Sequence, residues 1–188
     1  MSKRKKKKVL IIEGSASTAT GDLKNGFSAL LRNVIDQDMP KIFMGNGKFQ
    51  AIKRFKKHKK ADFCFLLIDL DKDEEFKEEE LKNLKLDQYK DWVFFMVQEV
   101  EAWFISQPEV LDHYYQTPIS SKLPKKRTQQ IKKPSDILKS ITKKTKKGTY
   151  NKKEHAIALL KILDAQQLRT DFEEFDRLIE KILNPTDK

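Results

Sequence analysis

The sequence predicts an α/β fold: a parallel sheet of about four strands, flanked by helices and followed by a helical C-terminal region. Three observations support this. Short, continuously apolar runs are typical of strands buried on both faces of a parallel sheet. The segments between them carry apolar residues at helical spacing. Such alternation of strands and helices favours parallel strands, and 188 residues suit one domain with an extension.

The strands are predicted at four apolar runs: 9–12, 41–44, 63–68 and 93–97. The third run contains Cys64, the single cysteine of the chain, so an intrachain disulfide is excluded, as suits a reducing cytosol. We interpret Cys64 as a small buried apolar residue.

Helices are predicted where apolar residues recur every three to four positions. Thr20 or Asp22 is a candidate N-cap for the first helix, and Pro108 suits the first turn of another. The predicted helices cover 21–37, 48–60, 74–85, a segment from Glu99, a segment from Pro108, 134–143, 151–164 and 168–183.

These elements divide the chain into four segments. We expect a basic disordered tail (1–8), an α/β core (9–115), a basic loop (116–133) and a helical region (134–188) packed on the core. No stretch approaches the roughly 20 apolar residues that a membrane span needs. The apolar run after the basic N-terminus is too short for a signal peptide, so we expect a cytoplasmic protein without membrane contact.

The net charge of +11 favours a polyanionic partner, with DNA or RNA first. The alternative is that the excess of lysine over arginine reflects the coding composition of the source genome. The candidate nucleic-acid-binding residues are Lys53, Arg54, Lys56, Lys57, Lys125, Lys126, Arg127, Lys152, Lys153 and His155. No P-loop and no Cys/His spacing for zinc is present, which excludes those two classes of site.

Acidic residues follow the first and third predicted strands. Ligands of parallel sheets bind beyond the carboxyl ends of the strands, so Glu13, Asp69 and Asp71 are expected to converge there if the first and third strands are neighbours. Side-chain alternation would place Asp69 and Asp71 on one side, with Leu70 in the core. Carboxylates brought together favour a hard cation, Mg²⁺ or Mn²⁺. The alternative is that these acids merely end strands and cap helices.

Three further features extend this candidate site. Glu99 and Glu101 follow the fourth strand, and because they lie about 200° apart on a helix, they are not expected to face one metal together. Asp73 is a further candidate metal ligand. Gly14 would let the backbone approach a phosphate closely.

These motifs resemble the Toprim domain of topoisomerases, primases and overcoming-lysogenization-defect nucleases. Nearly the whole chain is similar to the Toprim-related bacterial family catalogued as domain of unknown function 4276, often grouped with RloB-like proteins. The matching stretches are Val9–Gly14, Leu67–Asp71, Gln98–Trp103, Lys133–Asp136 and Tyr150–Leu168.

The resemblance implies a Toprim-like or Rossmann-like core and metal-dependent cleavage of DNA or RNA. By position, Glu13 would be the Toprim glutamate, and Asp69 and Asp71 its aspartate pair. The resemblance also implies a role in anti-phage defence beside an ABC-type ATPase partner. Self-association into a homo-oligomer is a further option.

The chain departs from the family pattern at two places. Ser15–Thr18 carries no acid, and Lys72–Glu75 replaces the usual Toprim glycine. Two other functions therefore stay open. One is a catalytically inactive nucleic-acid-binding or regulatory subunit of an ATPase complex, and the other is an assembly or inhibitor protein that docks on an acidic ATPase.

Overall fold

A four-stranded parallel sheet forms the centre of the fold. The computed structural model describes residues 6–14, 23–58 and 61–186. The strands are β1 (Lys8–Ile12), β2 (Lys41–Met44), β3 (Phe63–Asp69) and β4 (Val93–Met96). Their order is β2-β1-β3-β4, and each neighbouring pair is parallel. The predicted sheet is confirmed, and β1 and β3 are neighbours.

Helices flank the sheet and build the C-terminal region, as predicted. They are α1 (Leu23–Arg32), α2 (Lys48–Lys57), α3 (Lys77–Asn83), α4 (Glu101–Ile105), α5 (Pro108–Tyr115), α6 (Pro134–Thr142), α7 (Lys152–Ile162), α8 (Ala165–Asp171) and α9 (Glu173–Leu183). None of the helices within the described ranges is long and apolar enough to cross a membrane.

Several predicted helices differ from the structure in their bounds, two of them most clearly. The first ends at Arg32 instead of residue 37. The predicted helix 168–183 is two helices, α8 and α9, because Phe172 between them has an extended backbone (φ −126°). The Phe172 side chain is buried, with its ring centroid 6.4 Å from that of Trp103, so core packing sets this break.

Some sequence predictions fall outside the described residues. These are the first five residues of the basic tail, the caps Thr20 and Asp22 with the start of the first helix, and the last two residues of the predicted helix 48–60. Lys8, which we placed in the tail, begins β1.

The core is formed by the strands and the faces of the helices that cover them. Leu10, Ile11 and Ile12 of β1 have no exposed surface, as expected of a central strand covered on both faces. Each such side chain contributes about 1.5–3 kcal/mol by leaving water. The most extensive helix–helix contact within the described residues joins α1 to α7, so the C-terminal region packs directly on the core.

The pairing of β3 with β4 continues beyond the strands. Leu70 N donates to Met96 O (2.9 Å) and Asp71 N donates to Gln98 O (2.7 Å). Leu70 is completely buried, as predicted. Asp71, however, has a left-handed backbone (φ 59°), so the strand alternation ends at Asp69. The carboxyl edge of the sheet therefore begins at Glu13 and Asp69, where α1 and α2 also start.

Candidate active site at the carboxyl edge of the sheet

Glu13 and Asp69 are brought into contact by the neighbouring strands β1 and β3. Glu13 follows β1, and its Oε2 accepts a hydrogen bond from Asp69 N (3.0 Å). Asp69 ends β3, and its Oδ1 accepts from Val100 N (3.2 Å). Each carboxylate thus has one oxygen fixed by backbone N–H. This leaves the second oxygen of each for an ion or a side chain.

Glu101 adds a third carboxylate from the start of α4. It is 1% exposed, and Tyr150 OH donates to its Oε1 at 2.8 Å. Lys152 Nζ donates to its Oε2 at 3.4 Å and lies 3.7 Å from Asp69 Oδ2. One ammonium group therefore joins two carboxylates. With Glu13 included, the cluster holds three acids against one lysine.

Lys152 reaches this cluster because α7 begins beside it. Asn151 is the N-cap of α7, and its side chain accepts a hydrogen bond from Lys153 N (3.0 Å). The cap satisfies a helix N–H group and fixes Lys152 as the first residue of the helix. Lys152 keeps 41% of its side chain exposed and lines the cavity described below.

Asp71 lies at the outer rim of the cluster. Its side chain is 57% exposed and pairs with Lys48, the first residue of α2, at 2.5 Å. Such an exposed pair contributes about 0–1 kcal/mol. The left-handed backbone at Asp71 ends the strand alternation at Asp69, but the charge of Asp71 still raises the pKa of both Glu13 and Asp69.

Asp73 and Glu99, two other predicted site residues, hold neighbouring loops. Asp73 Oδ1 accepts from Gln98 Nε2 (2.6 Å), and Gln98 Nε2 also donates to Gln129 O (3.2 Å). Glu99 Oε2 accepts from Ser135 N (3.2 Å) at the start of α6. Glu99 and Glu101 thus accept hydrogen bonds from different groups; Glu99 precedes α4, so the predicted helical spacing does not apply to the pair.

A cavity of about 250 Å³ opens onto Glu13, Asp69 and Lys152. Its wall also includes Gly14 and Gly47. Gly14 has φ 132°, and a Cβ there would lie 3.0 Å from both Leu23 Cδ2 and Met44 Cε. Because the backbone is left-handed and tightly packed, glycine is required at this turn. The backbone thereby approaches the cavity without a side chain.

A family model named "Domain of unknown function (DUF4276)" matches residues 18–183, which is most of the chain. The chain belongs to the DUF4276 family. No match was found among curated proteins or among solved structures.

Burial sets the electrostatics of the DUF4276 site. Desolvation, reinforced by the charges of Glu13 and Glu101, raises the pKa of Asp69 to about 8, although Lys152 opposes the shift. Burial also raises the pKa of Glu13, against the hydrogen bond from Asp69 N and the charge of Lys48. Burial alone would lower the pKa of Lys152, but Asp69 and Glu101 raise it above its ordinary value. The cluster is therefore short of positive charge.

The predicted nucleic-acid-binding residues of the DUF4276 chain fall into separate surfaces. The four on α2 are exposed: Lys53, Arg54, Lys56 and Lys57. Lys125, Lys126 and Arg127 are exposed on the 116–133 loop, whereas Lys152 and Lys153 line the cavity. His155 is 5% exposed, and its Nδ1 lies 3.1 Å from Tyr114 OH, so it belongs to the interior and not to the basic surface.

Two site residues were not predicted, Tyr150 and Lys48. Tyr150 OH contacts Glu101 across 49 residues of sequence, a distance that no local pattern reports. Lys48 follows the turn Gly45–Gly47, and its position at the start of a helix after a strand was the one available signal. The role of Lys152 as partner of Asp69 and Glu101 was also missed, because the residue was assigned to nucleic-acid contact alone.

Proposed function

We propose that the chain is a divalent-metal-dependent phosphodiesterase that cleaves DNA or RNA. The observation that carries this proposal is the convergence of two carboxylates, Glu13 and Asp69, on a cavity that Lys152 also lines, with the buried Glu101 accepting a hydrogen bond from Lys152. Carboxylates suit a hard cation, and the ammonium suits a phosphate. A site for phosphodiester hydrolysis needs both.

The residues present fit Mg²⁺ or Mn²⁺. Glu13 and Asp69 would hold the ion through the carboxylate oxygens that accept no hydrogen bond from a backbone N–H. No group of three or more His, Cys, Asp or Glu in the described part of the chain is arranged to hold a metal. Mg²⁺ nevertheless commonly uses one or two carboxylates and completes its shell with water and substrate phosphate. When bound, such an ion polarises a phosphoryl oxygen and lowers the pKa of a coordinated water.

The remaining groups of the cavity suit a phosphate. Lys152 is placed to offset negative charge on a phosphoryl oxygen, and Lys153 adds a second positive charge at the cavity wall. Gly14 and Gly47 both line the cavity, and open space lies where a Cβ of Gly47 would be, so a phosphate has room to approach there. The first turns of α1 and α2 carry no acid of their own, although Asp71 pairs with Lys48 at the start of α2.

A second candidate function is a catalytically inactive nucleic-acid-binding or regulatory subunit of an ATPase complex. The ion pairs of Lys152 with Asp69 and Glu101 favour it, because they partly satisfy the acids without a metal. The resemblance to Toprim-related defence proteins is what supports an ABC-type ATPase partner and an anti-phage role for either function.

Cleavage of labelled DNA and RNA pools tests the proposal. Wild type, Asp69→Asn and Glu13→Gln are compared with Mg²⁺, with Mn²⁺ and with chelator. We expect wild type to cut only with metal and each variant to lose at least about 100-fold in rate, because a metal ligand or proton acceptor is removed. Asp36→Asn, an exposed aspartate after α1, is the matched control and should cut like wild type.

Two results would contradict the proposal. Undiminished cutting by both Asp69→Asn and Glu13→Gln would place the active site elsewhere. Absence of cutting by wild type with either metal, together with salt-dependent nucleic-acid binding, would favour the regulatory subunit.

A further inference from the structure

Helix α2 carries an exposed aromatic side chain next to basic ones. Phe49 is 78% exposed, the highest value among the large hydrophobic side chains that the structure describes as exposed. Ala51, Ile52 and Phe55 anchor the opposite face of the helix in the core. At about 100° per residue, Phe49, Lys53 and Lys57 fall within roughly 80° of each other. An unburied ring and two lysines thus share one face.

An open groove of about 430 Å³ runs beside this face. Lys53, Arg54, Lys57 and His58 line it, and no carboxylate of the described residues does. Arg54 is held in place, because its guanidinium donates to Met44 O (2.8 Å) and lies 5.7 Å from the centroid of the Phe43 ring. The groove therefore has a fixed positive charge and suits a polyanion.

The turn 45–47 joins this groove to the candidate active site. Gly45 and Asn46 line the groove, and Gly47 lines the cavity of Glu13 and Asp69. Gly45 is packed tightly on α2, since a Cβ there would lie 2.4 Å from Ala51 Cβ. A nucleic-acid strand bound along α2 would therefore reach the cavity by passing over the turn 45–47.

We infer that α2 is a binding surface for single-stranded nucleic acid, with a base stacked on Phe49 and the backbone phosphates along Lys53 and Lys57. A positive groove combined with an exposed aromatic ring is the usual means of binding a single strand without sequence preference. A duplex keeps its base faces inside the stack, so Phe49 distinguishes the two forms. The binding is inferred from the groove and from Phe49, whereas the delivery of the strand to Asp69 rests on the proposed function.

Binding of fluorescent 12-nucleotide strands in chelator tests this inference without cleavage. Wild type should bind single-stranded DNA or RNA more tightly than a duplex of the same length. Phe49→Ala should weaken single-strand binding by about tenfold and leave duplex binding unchanged, because one stacked base is lost. Phe49→Trp should restore the affinity.

Two controls separate stacking from charge. Phe76→Ala removes a ring that is 37% exposed in an acidic segment, and it should leave binding unchanged. Lys53→Gln should lower the slope of log affinity against log salt by about 0.7, the value for one phosphate contact on a single strand. Phe49→Ala should leave that slope as it is.

The inference would be overturned if Phe49→Ala lost single-strand and duplex affinity equally, or lost neither. Phe49 would then be assigned to contact with a protein partner. Failure of the proposed function gives a different result. In that case the strand still binds in chelator in a Phe49-dependent way, but it is not cleaved when metal is added, and Asp69→Asn behaves like wild type.

Discussion

At the scale of single residues, the candidate site places positive charges at helix N-termini, where they are ordinarily disfavoured. Lys152 and Lys48 are the first residues of α7 and α2, where the helix dipole disfavours a positive charge. Lys152 is stabilised there by Asp69 and Glu101, and Lys48 by Asp71. Local rules are broken in this way mostly where function requires it. Two lysines at the same edge of the sheet therefore strengthen the assignment of this edge as the site.

Asp69 gives a prediction about pH. Its pKa is raised from 3.8 to about 8, so the folded protein holds this proton more tightly than the unfolded chain. Its contribution to stability is complete below pH 3.8 and is lost as pH rises through about 8. Asp69→Asn, which carries no charge, should therefore be more stable than wild type at pH 9 in chelator, and the difference should be smaller at pH 5.5, inside the window between the two pKa values.

Thermal unfolding at the two pH values checks this expectation. Added Mg²⁺ or Mn²⁺ should raise the melting temperature of wild type more at pH 9 than at pH 5.5, because metal competes with the proton. Asp69→Asn should show a smaller increase. A wild type that gains stability relative to Asp69→Asn between pH 5.5 and pH 9 in chelator would show that the Lys152 ion pair outweighs desolvation.

At the scale of elements, the packing of α1 on α7 determines where Lys152 lies. Gly26 of α1 faces α7 so closely that a Cβ would lie 2.9 Å from Leu160 Cδ1 and 3.2 Å from Ile157 O. Gly26→Ala should destabilise the protein by about 1 kcal/mol, because overpacking exceeds the gain in helix propensity. Asn25→Ala, an exposed neighbour in the same helix, should instead stabilise it by about 0.5 kcal/mol.

Denaturant unfolding of both variants measures these opposite signs. If Gly26→Ala instead stabilises the protein as much as Asn25→Ala does, α7 can move away from α1 without a loss of free energy. In that case, the position of Lys152 would be set by its ion pairs and not by helix packing.

The elements also show how far the sequence predicts the structure. The strand at 41–44 was predicted at its true bounds, because a short apolar run that ends at a glycine turn is typical of a buried strand. The break at Phe172 was missed because it depends on tertiary packing against Trp103. Glu13 and Asp69 were expected to lie together, since both follow neighbouring parallel strands. The turn at Asp71 was missed because a single left-handed residue has no periodic signal.

At the scale of the whole molecule, α9 closes the open edge of the sheet. β4 is an edge strand, and edge strands leave unpaired N–H and C=O groups. Glu174 Oε2 accepts from Phe95 N (3.0 Å), and Arg177 donates to Val93 O (2.6 Å). Glu174 also pairs with Lys77 and Arg177. Two side chains of the C-terminal helix thus satisfy two backbone groups of the edge strand that a fifth strand would otherwise pair with.

Glu174 accordingly links α9 to the sheet, and its replacement should lower the free energy of unfolding of the whole protein. Glu174 is 2% exposed, and although burial would raise its pKa, Arg177 and Lys77 lower the pKa below the usual value of 4.5. Its contribution to stability is therefore present above pH 4.5 and is lost as pH falls through the lowered value.

At pH 7, Glu174→Gln should cost about 2 kcal/mol, since a buried hydrogen bond to a charged group is removed and both cations keep access to water. The exposed neighbour Glu173→Gln should cost less than about 0.5 kcal/mol. Urea unfolding at pH 7 and at pH 3 measures both variants, and an equal cost for Glu174→Gln at the two pH values would show that shape, not charge, holds α9 against β4.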